Sequence, residues 1–204
     1  MTAVKPEQRV VLASGNAGKL KEMQALLSGL GVILLPQSDF QVSDVAETGL
    51  TFVENAIIKA RHACQATGLP SIADDSGLEV DALNGEPGIY SARYAGKHGA
   101  DADNNARLLR ELEQVPEAQR SARFQCIIVY MRHQQDPTPL ICQGTWEGSI
   151  LFAESGRHGF GYDPLFYVAE HDCSSAELDP AVKNQMSHRG QALSKLKQCW
   201  NSHL

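Results

Sequence analysis

Val10-Val11-Leu12-Ala13-Ser14-Gly15-Asn16-Ala17-Gly18-Lys19-Leu20 carries an apolar run through a glycine-bearing turn into a segment whose apolar residues, Leu20, Met23, Leu27 and Leu30, recur at helical spacing. The stretch reads as strand, tight turn and amphipathic helix. Val32-Ile33-Leu34-Leu35, stopped by Pro36, supplies a second strand, so the chain opens like a βαβ unit. Glycines let backbone N–H groups turn toward an anion, a helix start offers unpaired donors and a positive dipole end, and Lys19 adds a full charge. The turn therefore suits a polyphosphate. It is not a Walker A loop, because Lys19 is followed by Leu20 and the four-residue gap is missing. Taken alone, it reads equally as a tight turn with a solvent-facing lysine.

Working outward, Thr51-Phe52-Val53-Glu54 is a capping box opening a helix with Phe52, Ala56, Ala60 and Ala63 on one stripe and Gly68 as its C-terminal cap. Asn55 and Lys59 are neighbours on another face. Leu69 to Ala73 reads as a short strand ending at Asp74-Asp75-Ser76-Gly77, and Leu78 to Leu83 as a further strand before the Asn84-Gly85 turn. A helix is predicted from Asp103 to Gln114, closed by Pro116. Arg123 to His133 and Leu140 to Leu151 read as two long strands joined by Gln135-Asp136-Pro137-Thr138-Pro139, an antiparallel hairpin. Gly156 to Phe166 is too irregular for a regular element and too apolar for a solvated loop, a mixture that suits a ligand wall. A last helix enters through Ser187-His188-Arg189-Gly190 and carries the stripe Leu193, Leu196, Trp200. Intermixed helices and strands with one hairpin give an α/β fold with a mixed sheet.

The 204 residues can bury a full core. An apolar share of 43% and a charged share of 21% exclude a disordered or membrane-spanning chain. The net charge of -6 argues against nucleic acid as the main partner. Cys64, Cys126, Cys142, Cys173 and Cys199 are an odd number without C-x-x-C spacing and read as free thiols. The polar start of the sequence shows no signal-peptide pattern, which makes a cytoplasmic location the expectation.

The chemistry-bearing residues each have a bland reading. Asp74-Asp75 is either the end of a strand or a carboxylate pair; ligand sites in α/β sheets collect beyond carboxyl ends of strands, where both this pair and the Ser14 to Lys19 turn fall in the sequence. Carboxylates beside phosphates repel them unless a cation intervenes, which points to magnesium-assisted chemistry. Phe160-Gly161-Tyr162-Asp163 is either core filler or an aromatic face with a nearby acceptor, the pair of features a flat base needs. Lys183, His188 and Arg189 read singly as helix-surface residues, and nothing around Glu47 alone marks it as a ligand.

Taken in order, Ser14 to Lys19, Glu47-Thr48-Gly49, Glu54-Asn55-Ala56 with Lys59-Ala60, Ala73 to Gly77, Pro87-Gly88-Ile89-Tyr90-Ser91-Ala92-Arg93-Tyr94, Gly159 to Pro164 and Ser187 to Gly190 resemble the inosine triphosphate pyrophosphatase family. The similarity runs from Arg9 to Trp200, and is nearest to the bacterial type acting on XTP and dITP. The resemblance implies one domain over 9–200 after a leader at 1–8, an elongated mixed sheet flanked by helices, two lobes with the nucleotide in a cleft between them, and a homodimer. It implies that Ser14, Gly15, Asn16, Ala17, Gly18 and Lys19 hold phosphate, with Lys59 added to that group. Glu47 and Asp75 serve Mg2+, Asp75 is the proton acceptor and Ser76 touches substrate. Phe160, Gly161, Tyr162, Asp163, Lys183, His188 and Arg189 bind the nucleoside and phosphates. Where this chain has Ser14 the family commonly has threonine; either hydroxyl donates a hydrogen bond.

The implied reaction is hydrolysis of ITP, dITP or XTP to the monophosphate and pyrophosphate. A six-keto purine presents an acceptor at position six and a donor at N1, so donors such as His188 or Arg189 fit it, whereas adenine would meet donor with donor. Two other readings compete: a Maf-like nucleotide pyrophosphatase preferring pyrimidine or modified nucleotides, and a nucleotide sensor without turnover.

Overall fold

A computed structural model describes residues 7–14, 20, 23, 24, 27 and 31–203, the last three as backbone. The first strand, β1 (Gln8–Leu12), pairs in parallel with β2 (Val32–Pro36), from Gln8 opposite Val32 to Leu12 opposite Pro36. Among the residues between them, Leu20, Met23, Gln24 and Leu27 are helical, and Met23 and Leu27 are buried, as helical spacing requires. Helix α1 (Phe52–Thr67) starts at the capping box read from the sequence: the Thr51 hydroxyl accepts from Glu54 N, and the Glu54 carboxylate accepts from Thr51 N. It ends on Gly68, whose φ of 68° closes the last turn in the left-handed region.

Strand β3 (Ser71–Val80) corrects the sequence reading, which placed two short strands either side of Asp74-Asp75. One ten-residue strand runs through the pair, and the expected strand end at 81–83 is a 3-10 turn. The reason is visible in the register: among the described residues β1 pairs with β3 at Val11–Ser71 and Leu12–Ile72, with Ala13 N donating to Ile72 O. The carboxylates therefore lie past the end of the neighbouring strand without ending their own.

Helix α2 (Asp101–Glu111) is followed by β4 (Ser121–Met131) and β5 (Leu140–Ile150). The pairs Arg123–Glu147 and Gln125–Thr145, with Ile150 N donating to Arg120 O, run in opposite directions along β4 and β5, as the expected hairpin requires. At its turn the buried Asp136 carboxylate accepts from Arg132 N and Nε and from Thr138 N. Strand β6 (Phe166–Val168) adds antiparallel to β5 and β7 (Cys173–Ser174) antiparallel to β6, completing a seven-stranded sheet in the order β2-β1-β3-β4-β5-β6-β7. Helices α3 (Pro180–Met186) and α4 (His188–His203) finish the chain.

The chain forms two compact units. One comprises 1–75, 127–143 and 192–204; its core gathers Val11, Ala56, Ala60, Ala63, Ala73, Ile127, Val129 and Met131. In the same unit Trp200 of α4 is fully buried against Tyr130, with ring centroids 4.6 Å apart. The other comprises 76–126 and 144–191, around Leu78, Leu108, Leu112, Phe124, Trp146, Tyr162 and Phe166. Cys64, Cys126 and Cys142 are buried and none of the five thiols is in a disulfide; burial pushes the Cys64 thiol up and that of Cys142 up to about 11.

Candidate active site

In the first unit, the loop carrying Glu47 is tied down by the helix it leads into. Asn55, one turn into α1 and fully buried, accepts from Gly49 N at 2.9 Å, while Leu50 N and Thr51 N donate to Glu54. A side chain at position 49 would bring its Cβ within 2.5 Å of the Glu54 Cβ, so the loop can lie this close only with glycine there. One helical turn after Asn55 stands Lys59, and its ammonium donates to Glu47 Oε1 at 2.9 Å and to Asp75 Oδ1 at 2.8 Å. Glu47, Lys59 and Asp75, expected from the resemblance, thus meet at one point.

All three are largely withdrawn from water, with side-chain exposures of 28%, 16% and 11%. Burial alone would lower the Lys59 pKa, but the Asp75, Asp74 and Glu47 carboxylates outweigh it and raise it. Burial raises the Asp75 pKa, Lys59 pulls it back, and Glu47 and Asp74 push it up again, leaving it above the ordinary carboxylate value. Asp75 Oδ2 is buried and has no hydrogen-bond partner among the described residues. A buried carboxylate oxygen left open beside two further carboxylates is an arrangement that a divalent cation would satisfy. Among the described residues no three His, Cys, Asp or Glu form a complete metal cage. Magnesium is usually held by one or two carboxylates with substrate phosphates completing its shell, so Glu47 and Asp75 fit that ion. Ser14 is half-buried, and Gly15, Asn16, Ala17, Gly18 and Lys19 lie outside the described residues.

In the second unit, the residues after Glu154 fold into a loop whose glycines 156, 159 and 161 all have positive φ. Gly159 is required by a close approach: a Cβ there would stand 2.1 Å from Asp163 Oδ2. Asp163 is buried and accepts from Phe160 N, Ser175 Oγ and Lys183 Nζ. Phe160, by contrast, is 58% exposed. Lys183 Nζ lies 5.6 Å and Arg189 Cζ 5.8 Å from its ring centroid, so an open aromatic face is bordered by two cations. The Tyr162 hydroxyl donates to Ser91 O and its ring is buried, which fixes the base of the loop. His188 stacks on Phe124, centroids 4.8 Å apart and planes within 15°, and Arg189 Nη2 donates to Ser76 Oγ at 3.3 Å. Phe160, Lys183 and Arg189 are therefore gathered together, and Arg189 with Ser76.

Sequence reading missed several contributors. Asp74 was read only as half of a pair, yet it is buried and its charge acts on Lys59. Phe124 was read only as part of a strand; the alternation of β4 marks it as inward-facing but not as the platform for His188. Asn55, expected with Lys59 on a face apart from the alanine stripe, is buried together with the alanines and holds Gly49 N.

The fold defines a mixed-sheet α/β protein, and the buried carboxylate–lysine group gives it the equipment of an enzyme. Residues 10–199 match the Ham1 family, and the chain belongs to that family. It is 62% identical to the dITP/XTP pyrophosphatase of Vibrio cholerae over 189 residues, 93% of this chain and 94% of that protein. Among solved structures, the HAM1 protein of Coxiella burnetii is similar with a TM-score of 0.92 at 53% identity, covering 96% of this chain and 99% of that one. The Ham1 protein of Staphylococcus aureus gives 0.88 at 40% identity, with 97% and 100% covered. The resemblance read from the seven motifs is borne out. No helix among the described residues is long and apolar enough to cross a membrane.

Proposed function

We propose that this chain hydrolyses the deaminated purine nucleoside triphosphates XTP, dITP and ITP to the monophosphate and pyrophosphate, with Mg2+, and so removes them from the nucleotide pool. The observation that carries the reading is Asp75: one carboxylate oxygen held by Lys59, the other buried and without a hydrogen-bond partner among the described residues, on a group whose proton affinity burial has raised. A carboxylate with raised pKa is a better base for water. Water gives its proton to Asp75 as its oxygen forms a bond to the α-phosphorus, and the bond from that phosphorus to the bridging oxygen breaks to release pyrophosphate. Mg2+, held by Glu47 and Asp75, would offset charge on the phosphate oxygens when bound.

Lys59 keeps Glu47 and Asp75 together against their mutual repulsion. The loop at 15–19 and Lys183 are assigned to the phosphates, where positive charge offsets what develops on the leaving group. Phe160 offers its face to the base, and His188 and Arg189 offer donors to a six-keto purine. Adenine's amino group would meet those donors with a donor, which excludes ATP. A homodimer and a cytoplasmic setting, implied by the family resemblance and the sequence, belong to the same reading; light scattering of the purified chain tests the first.

The test is product release from ITP, XTP, dITP, GTP and ATP with and without Mg2+. Pyrophosphate rather than orthophosphate is expected, from the deaminated nucleotides, and only with the ion present. Asp75→Asn should retain nucleotide binding and lose turnover by about a hundredfold or more. Hydrolysis of ATP and GTP as efficient as that of ITP and XTP would overturn the reading.

A further inference from the structure

Gly161 follows the exposed ring of Phe160, and both of its backbone groups are held by α2. Its N–H donates to Asp101 Oδ2 at 2.7 Å, and its carbonyl accepts from Asn105 Nδ2 at 3.2 Å. Asp101 and Asn105 are four residues apart, one helical turn, so they present side chains on one face. The same Asn105 amide donates to Glu154 Oε1 at 2.9 Å. One buried NH2 group therefore ties the beginning of the 154–161 loop to its end.

The loop needs such a clamp. Its glycines at 156, 159 and 161 make its backbone permissive and raise the entropy lost when it is fixed. Among the described residues no backbone bond reaches Gly161: those to the loop reach Ser155, Arg157 and His158, through Pro164 O and Ala176 O, and Phe160 O, from Asp163 N. Asp163 holds Phe160 N from within the loop. An acidic residue in the first turn of a helix usually faces the helix's own N–H groups. Asp101 instead turns to a loop sixty residues away in sequence.

We infer that Asp101 and Asn105 are positioning residues that hold the Phe160 ring in place for the purine base. This rests on the proposed reading of Phe160 as the base wall. The orientation of Asn105 is dictated by its partners, since a carboxylate and a carbonyl both accept. Asn105→Asp therefore keeps the shape and turns donor into acceptor. Asp101→Ala removes its contact, whereas Asp101→Asn keeps an acceptor oxygen and serves as the conservative rescue.

The experiment has two arms on the full chain. Hydrogen exchange followed by mass spectrometry is expected to show faster exchange in 154–163 for Asn105→Asp and Asp101→Ala, and wild-type exchange there for Asp101→Asn. Kinetics are expected to show KM for ITP raised about tenfold in the first two variants with kcat within about threefold, while inhibition by inorganic tripolyphosphate, which has no base, is unchanged. Unchanged loop exchange overturns the clamp. Faster exchange with unchanged KM, or with KM and the tripolyphosphate constant rising together, overturns the role in base binding. A wild-type chain that releases no pyrophosphate from ITP overturns the proposed function instead, and the role in base binding with it, while the exchange arm still decides the clamp.

Discussion

Lys59 is one ammonium between two carboxylates, with a third, Asp74, close enough to act on it. Removing one partner of a buried ion pair leaves uncompensated charge, which costs about 3 kcal/mol or more. Lys59→Met keeps the length of the side chain and drops the charge, so urea unfolding at neutral pH is expected to show a loss of that size. Adding Glu47→Gln removes one of the repelling groups and should recover part of it, so that the double variant is more stable than the sum of the two singles predicts. A recovery of zero would mean that the two side chains do not share the interaction. Lys59 shows what sequence can and cannot give at this scale. Its place on the helix followed from capping and the four-residue rule, but its reading as a phosphate contact did not anticipate that it bridges the acids, because Glu47 and Asp75 lie twelve and sixteen residues away along the chain.

Elements were legible where local chemistry decides them. The α1 capping box, the Gly68 stop, the β4–β5 hairpin and the apolar stripe of α4 all follow from side-chain type and spacing. Thr51→Ala is accordingly expected to cost about 1 kcal/mol in urea unfolding, the ordinary value of an N-cap. The run through Asp74-Asp75 was not legible, because Asp is uncommon in a strand and what stands beside the pair, the end of β1 at Leu12 and the Lys59 ammonium on Asp75, comes from elsewhere in the chain. Strands β6 and β7 are three and two residues long, too short to show a period. At the hairpin turn, Arg132 beside Asp136 holds the Asp136 carboxyl well below the usual carboxylate range. A depressed folded-state pKa adds stability above the unfolded value, near 4, and loses it as pH falls toward the folded one. Asp136→Asn should therefore be less stable than wild type by about 1–2 kcal/mol at pH 7, with Arg132 half-exposed and partly screened. The gap is expected to narrow progressively as pH falls below about 4, measured by urea unfolding along the pH series.

Across the whole molecule, β3, β4 and β5 each give residues to both units, so neither unit can lose its strands without breaking elements of the other. Cooperative loss of both is expected. Trp146 lies in the core of one unit and Trp200 is buried against Tyr130 in the other unit, so Trp146→Phe and Trp200→Phe each leave a single reporter for one unit. The two fluorescence transitions in urea should coincide with each other and with circular dichroism once each variant is compared with itself. The buried thiols add something the tryptophans cannot. Cys64 and Cys142 sit in the first unit and Cys126 in the second, and a sulfur shut inside a core reacts with an alkylating reagent only during the moments when that core opens. The chain thus keeps its own record of fleeting excursions from the folded state, dated residue by residue in the mass of each cysteine peptide.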